Sequence, residues 1–209
     1  MPKASQKSTP RLVVGVGASA GGLSEFKTLV KSLSEKSGMA FILVQHLEPS
    51  HKSMLPELLE RETEIPVSAA SDGLKLESDH IYVIPPNCYI ELNEGTIHLT
   101  EPKDRDSGIR QAIDHFFRSL ASDCGERCAG IVLSGAASDG TAGLRAIRAA
   151  GGLALAQEPD SAKHPSMPES AVRAEVVDIV AEVKDMPNLL TQYADHPMTF
   201  REDHETHKE

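Results

Sequence analysis

Gly17-Ala18-Ser19-Ala20-Gly21 places a serine between two glycines where an apolar run gives way to a helical pattern. G-x-S-x-G in that strand–turn–helix context is the spacing of a nucleophile elbow, which exposes a serine hydroxyl at a sharp turn. Glycine on either side permits the turn and keeps bulk away from the hydroxyl. The free amides and positive dipole end of the following helix favour a developing oxyanion. The chemistry this arrangement would serve is attack of Ser19 on an acyl carbon. Two phosphate-binding readings compete for the same residues. Gly15, Gly17 and Ala20 fit the G-x-G-x-x-A dinucleotide fingerprint, but the second strand ends in Gln45-His46-Leu47 where an acidic ribose ligand is required. A P-loop needs Lys after Gly22, and Leu23 stands there. On the motif alone, catalysis and a plain tight βα turn both remain open.

A serine nucleophile needs a base within hydrogen-bond reach and an acid to orient that base. In an open parallel sheet, functional groups gather just past the carboxyl ends of the strands. His46 follows the second strand directly and meets that condition; His51 lies further along the same loop. His80 and His98 lie at or within strands remote from that edge, His115 falls mid-helix, and His196, His204 and His207 belong to the tail. By the same rule the run Ala129 to Leu133 delivers Ser134-Gly135-Ala136-Ala137-Ser138-Asp139-Gly140, a second glycine-flanked turn opening a helix. Asp139 alone reads equally as the N-cap of that helix. Ser19, His46 and Asp139 arriving together at three strand ends point to a hydrolase.

The elements that must position these residues alternate between strand and helix, which predicts a parallel sheet covered on both faces. Strands are expected at Leu12 to Val16, Met39 to Gln45, near Pro66, at His80 to Ile84, Ala129 to Leu133, Gly152 to Ala156 and Val176 to Val180. Helices are expected from Leu23, at Ser53 to Arg61, about Ile109 to Cys124, Thr141 to Ala150, and Pro168 to Ala174. Tyr89 to Leu92 and Thr96 to Leu99 flank Asn93-Glu94-Gly95, the signature of an antiparallel hairpin inserted into this rhythm. Residues 1–10 and 195–209 are polar and aperiodic and are expected to be disordered, leaving a single domain over residues 11–194.

The net charge of −10, without a basic cluster or an aromatic platform, argues against a nucleic-acid partner. No run approaches a membrane span and the N-terminus has no signal-peptide core, so no membrane insertion is expected. Cys88, Cys124 and Cys128 are an odd count without framework spacing, which suits a reducing cytoplasm. No ligand cluster accompanies them, so neither metal nor cofactor is expected.

Beyond these patterns, the chain resembles a known family. GVGASAGG, the VQHL of the second strand, VIPPN, LSGAASDGTAGLRAI, the AQEP segment and MPESA closely resemble the CheB-type chemoreceptor methylesterase domain, in order and at family spacing. The likeness runs from about Arg11 to Leu190 and is nearest to the module fused to methyltransferase and sensor domains in hybrid sensory proteins. It implies a three-layer α/β/α fold with a doubly wound, mainly parallel sheet of about seven strands. It implies the triad Ser19, His46 and Asp139, with the backbone amides of Ala20 and Ala136 receiving the oxyanion. It implies cofactor-free hydrolysis of glutamate γ-methyl esters on the cytoplasmic domain of methylated chemoreceptors, and deamidation of receptor glutamines. Methyltransferase or sensor-kinase modules would be further partners. The sequence departs from the family where a threonine usually follows the serine (Ala20 here) and where methionine usually stands in the second turn (Ala136 here). An acidic chain cannot draw an acidic receptor by long-range attraction, so Lys52, Arg110, Arg145 and Arg148 are candidate local docking cations.

Overall fold

Apolar runs become central strands here because both faces of the sheet are covered. In the computed structural model, which describes residues 8–45, 54–101, 111–197 and 200, β1 (Leu12–Ala18) is buried at all seven positions. It is followed by α1 (Gly22–Ser32), β2 (Met39–Gln45), α2 (Leu55–Leu59), β3 (Val67–Ala69) and β4 (His80–Val83). Next come the strands β5 (Tyr89–Asn93) and β6 (Thr96–Thr100), then α3 (Ala112–Cys124), β7 (Cys128–Val132) and α4 (Thr141–Ala149). The chain continues through β8 (Leu153–Gln157), α5 (Ser166–Arg173), β9 (Ile179–Ala181) and α6 (Met186–Asp195).

Seven strands form one sheet in the order β3-β4-β2-β1-β7-β8-β9, and every pairing in it is parallel. β5 and β6 form the separate antiparallel pair. The chain winds outward from β1 on one side and then returns to build β7, β8 and β9 on the other. The strand order reverses between β1 and β7, so their carboxyl ends mark the topological switch point, the edge where doubly wound folds place a ligand crevice.

Alternate residues of each strand face opposite layers. Leu12, Val14 and Val16 pack with Phe26 and Leu29 of α1 and with Leu190 and Tyr193 of α6. Val13 faces the other layer, where Ile113, Phe116 and Phe117 of α3 meet Leu144 and Ile147 of α4. Gly15 and Gly17 also face α3: a Cβ on Gly17 would lie 2.4 Å from Ile113 Cγ2, and one on Gly15 2.8 Å from Phe116 Cε1. The spacing that fits a dinucleotide fingerprint thus lets a helix lie close against the sheet.

Three expectations change. The helix placed from Ile109 starts at Ala112, residues 109–110 lying outside the described ones. β9 runs Ile179–Ala181 and not Val176 to Val180, because Glu175 turns at φ +55° and the Val176 N–H still donates back to the Ala171 carbonyl of α5. α6 was not expected at all. Near the two ends of the described chain Ser8 bonds Ser78, Asp195 pairs with Arg11, and Phe200 packs edge-on against Tyr193. Among the described residues no helix is long and apolar enough to cross a membrane.

Candidate active site

Ser19 leaves β1 on the crevice side and is half-buried. The β1–β7 ladder continues past both strands: Leu133 N–H donates to the Gly17 carbonyl at 2.9 Å, and Ser19 N–H to the Ser134 carbonyl at 3.0 Å. The Gly22 amide closes the turn onto the Ser19 carbonyl at 2.9 Å. This requires Gly21 at φ +80°, a conformation natural to glycine.

The second turn is welded to the first. Gly135 N–H donates to the His164 carbonyl at 2.9 Å, and Met167 N–H to the Gly135 carbonyl at 3.1 Å. A Cβ on Gly135 would lie 2.1 Å from Met167 Sδ and 3.0 Å from Ser19 Cβ, so only glycine lets the serine, the turn and α5 meet. Ala137 takes φ +66°, a strained value for alanine.

Asp139, 6% exposed, caps a helix other than the one it precedes. Its Oδ2 accepts Ile113 N–H at 3.0 Å, and its Oδ1 accepts Asp114 N–H and Gly140 N–H, each at 2.9 Å. The first two are amides at the start of α3. Asp114 reciprocates from α3, accepting Gly143 N–H in the first turn of α4 at 2.7 Å. Burial pushes the Asp114 carboxyl above the usual aspartate range, the Gly143 amide opposes the shift, and the neighbouring Asp139 charge adds to it. α1, α3, α4 and α5 all begin at this edge, so the positive ends of four helices face the crevice.

Of the residues named from the sequence, Ser19 and Asp139 are brought to one crevice. His46 lies outside the described residues, as do His51, Lys52 and Arg110. Gln45, which precedes His46, ends β2 in register with Ala18 of β1. The amides of Ala20 and Ala136 donate to no acceptor among the described residues. His80 is engaged with Ser68 and stacked on Tyr82, while His115 pairs with Glu91 at 2.8 Å. Arg148 fails as a docking cation at this edge. It sits in the last turn of α4 and is tied to Asp178 Oδ1 at 2.8 Å and to the Glu175 carbonyl at 2.6 Å, at the opposite end of the sheet. Arg145 is exposed on α4.

His164 escaped the sequence reading. Its Cδ2 lies 3.2 Å from the point a Gly21 Cβ would occupy, so its ring borders the nucleophile turn. The signal was available, because His164 lies in the loop after the carboxyl end of β8 and passes the filter that selected His46. Lys163, exposed beside it, brings a positive charge to the same border. Among the described residues no group of histidine, cysteine or acidic side chains could hold a metal ion.

The CheB catalytic domain of Thermotoga maritima superposes with a TM-score of 0.79, covering 88% of this chain and 99% of that one. At 22% sequence identity it speaks to the fold alone. A Leptospira interrogans relative is 30% identical over 174 residues, 83% of this chain and 90% of its own length. A Methanosarcina acetivorans protein, named protein-glutamate methylesterase/protein-glutamine glutaminase 2, is 32% identical over 190 residues. The match spans 87% of this chain and only 53% of that protein. The profile of the CheB methylesterase family matches residues 14–190, and this chain belongs to that family.

Proposed function

We propose that this chain is a protein-glutamate methylesterase, a serine hydrolase that removes methyl groups from glutamate γ-methyl esters of chemoreceptors and also deamidates receptor glutamines. Family membership and the name of the Methanosarcina relative support the reaction class. The observation that carries the reading is the direct joining of the Ser19 turn to the turn that bears Asp139, through Ser19 N–H and the Ser134 carbonyl at the switch point.

In this mechanism His46 takes the Ser19 proton as the Oγ–carbon bond forms. The amides of Ala20 and Ala136 receive the negative charge on the carbonyl oxygen, each such donor worth about 3 kcal/mol. Collapse of the tetrahedral adduct breaks the carbon–methoxy bond, and the proton on His46 leaves with methanol. Water then repeats the attack on the acyl-enzyme and frees the glutamate. Asp139 orients the imidazole and stabilises its charged form. The backbone amides of Ile113, Asp114 and Gly140 hold the Asp139 carboxylate in one orientation, and so fix the direction in which it would meet an imidazole N–H. The site of action would be the cytoplasm, where the receptor domains that carry methyl-glutamate lie.

The test is methanol release from a carboxyl-methylated chemoreceptor fragment, with Ser19→Ala as the control. Turnover abolished by Ser19→Ala and rising with pH through the histidine range near ~6.5 supports the reading. Turnover unaffected by Ser19→Ala overturns it. The alanines at 20 and 136 favour a second reading, a module of a sensory assembly that acts on or docks to a partner other than a chemoreceptor. Hydrolysis of a small activated ester without release of methanol from the receptor would select that reading.

A further inference from the structure

One buried polar residue under the nucleophile takes no part in the proton transfers. Ser134 is fully buried, and each of its polar groups is bonded to an element of the site. Its N–H donates to Gln157 Oε1 at 2.8 Å, and its carbonyl accepts the Ser19 N–H at 3.0 Å. Its hydroxyl donates to the Ala20 carbonyl at 3.0 Å and accepts the His164 N–H at 3.0 Å. Gln157, 1% exposed at the end of β8, is steadied by Ser161 Oγ at 3.3 Å. Gly21 makes room for the contact, since a Cβ there would lie 2.9 Å from Ser134 Oγ.

We propose that Ser134 is a positioning residue for the nucleophile: its hydroxyl locks the Ala20–Gly21 peptide, the centre of the turn on which Ser19 and the Ala20 amide are carried. The proposal rests on the reading of Ser19 as nucleophile. The ends of the turn are held by Ser19 N–H on the Ser134 carbonyl and by Gly22 N–H on the Ser19 carbonyl, and the Gly21 carbonyl accepts the Ser24 hydroxyl at 2.8 Å. The central Ala20–Gly21 peptide is held through the Ala20 carbonyl by Ser134 Oγ, and its rotation strains both ends and shifts the residues they carry. Removing the hydroxyl leaves the Ala20 carbonyl and the His164 amide without this partner, and the peptide can turn to seek another. A displacement of about 1 Å at a reacting atom costs on the order of 10²-fold in rate. Such a loss falls on kcat, because the groups around the bound substrate are unchanged.

The experiment compares the full chain with Ser134→Ala, Ser134→Thr and Ser19→Ala. It reads kcat and KM for p-nitrophenyl acetate and the rate constant of serine labelling by a fluorophosphonate. Labelling rate constants refer to folded molecules, since unfolding lowers only the amplitude. The expected result is a fall of roughly 10- to 100-fold in kcat and in the labelling rate for Ser134→Ala, with KM within about twofold, and recovery of most of it in Ser134→Thr. If Ser134→Ala does not fold, Ser134→Thr and Ser134→Val, alike in shape, make the same comparison of hydroxyl against none. Rates within about twofold of the parent, or equal impairment with and without the hydroxyl, overturn the proposal while the nucleophile assignment stands. Undiminished labelling in Ser19→Ala overturns that assignment and this proposal with it.

Discussion

Replacing Asp139 by asparagine should cost stability as well as activity, for a reason visible in the hydrogen bonds. The carboxylate receives three backbone N–H groups from two directions: Ile113 on Oδ2, and Asp114 with Gly140 on Oδ1. An asparagine amide has one oxygen. Its best orientation keeps the bonds from Asp114 and Gly140 and turns its NH2 toward the Ile113 N–H, a donor facing a donor 3.0 Å away. Losing one hydrogen bond to a charged acceptor costs about 1.5–3 kcal/mol, and the two that remain weaken as the charge disappears. Relief of the repulsion between Asp139 and Asp114 returns part of this. A net loss of about 3 kcal/mol is expected, equivalent to a fall in Tm of about 6–12 °C for a domain of this size. Urea unfolding followed by circular dichroism measures it, with Ser19→Ala as a control that should stay within about 0.5 kcal/mol of the parent. If Asp139→Asn matches that control, the amide cradle does not join α3 to α4 as argued. The consequence for activity assays is direct: rates for Asp139→Asn need normalising to the folded fraction before a loss is credited to the histidine's orientation.

Asp114→Asn should behave oppositely. Its oxygen can still accept the Gly143 N–H, and burial raises the Asp114 carboxyl in the fold, so the protonated form is the favoured one. That stabilisation is complete below the unfolded value of 3.8 and is lost as pH rises through the higher folded value. The variant should therefore exceed the parent in urea midpoint at pH 8, with the gap narrowing toward pH 4; a gap that widens on acidification refutes this. Gly135→Ala should lower stability by about 1–3 kcal/mol and cut ester turnover, since the new methyl meets Met167 and Ser19 together. In a double-mutant cycle with Met167→Ala, a buried residue, the two losses should be less than additive, and strict additivity by calorimetry would count against the clash. Ala137→Gly should relieve the residue at φ +66° and raise stability by up to about 1 kcal/mol, read as a higher Tm.

The strands and the position of the site were legible in the residues themselves. Met39 to Gln45 reads as a strand because six consecutive apolar residues suited to burial leave few other choices, and Asn93-Glu94-Gly95 marks its hairpin because the turn demands those residue types. The glycine-flanked turns following two apolar runs located the crevice, since a parallel sheet sends all its strand ends to the same edge. α6 was equally legible and went unread: Met186, Leu190 and Tyr193 carry its buried stripe at helical spacing. Local pattern tells a segment what backbone to adopt and which face to bury. It does not tell the segment what it will meet. That Asp139 caps α3 and not its own helix, that Gly15 and Gly17 serve Ile113 and Phe116, and that His164 and Ser134 close around the nucleophile turn are facts about partners distant in the chain. Such pairings arise only when the layers pack, because hydrogen bonds and close contacts between remote segments depend on their final separation, which no local run of residues contains.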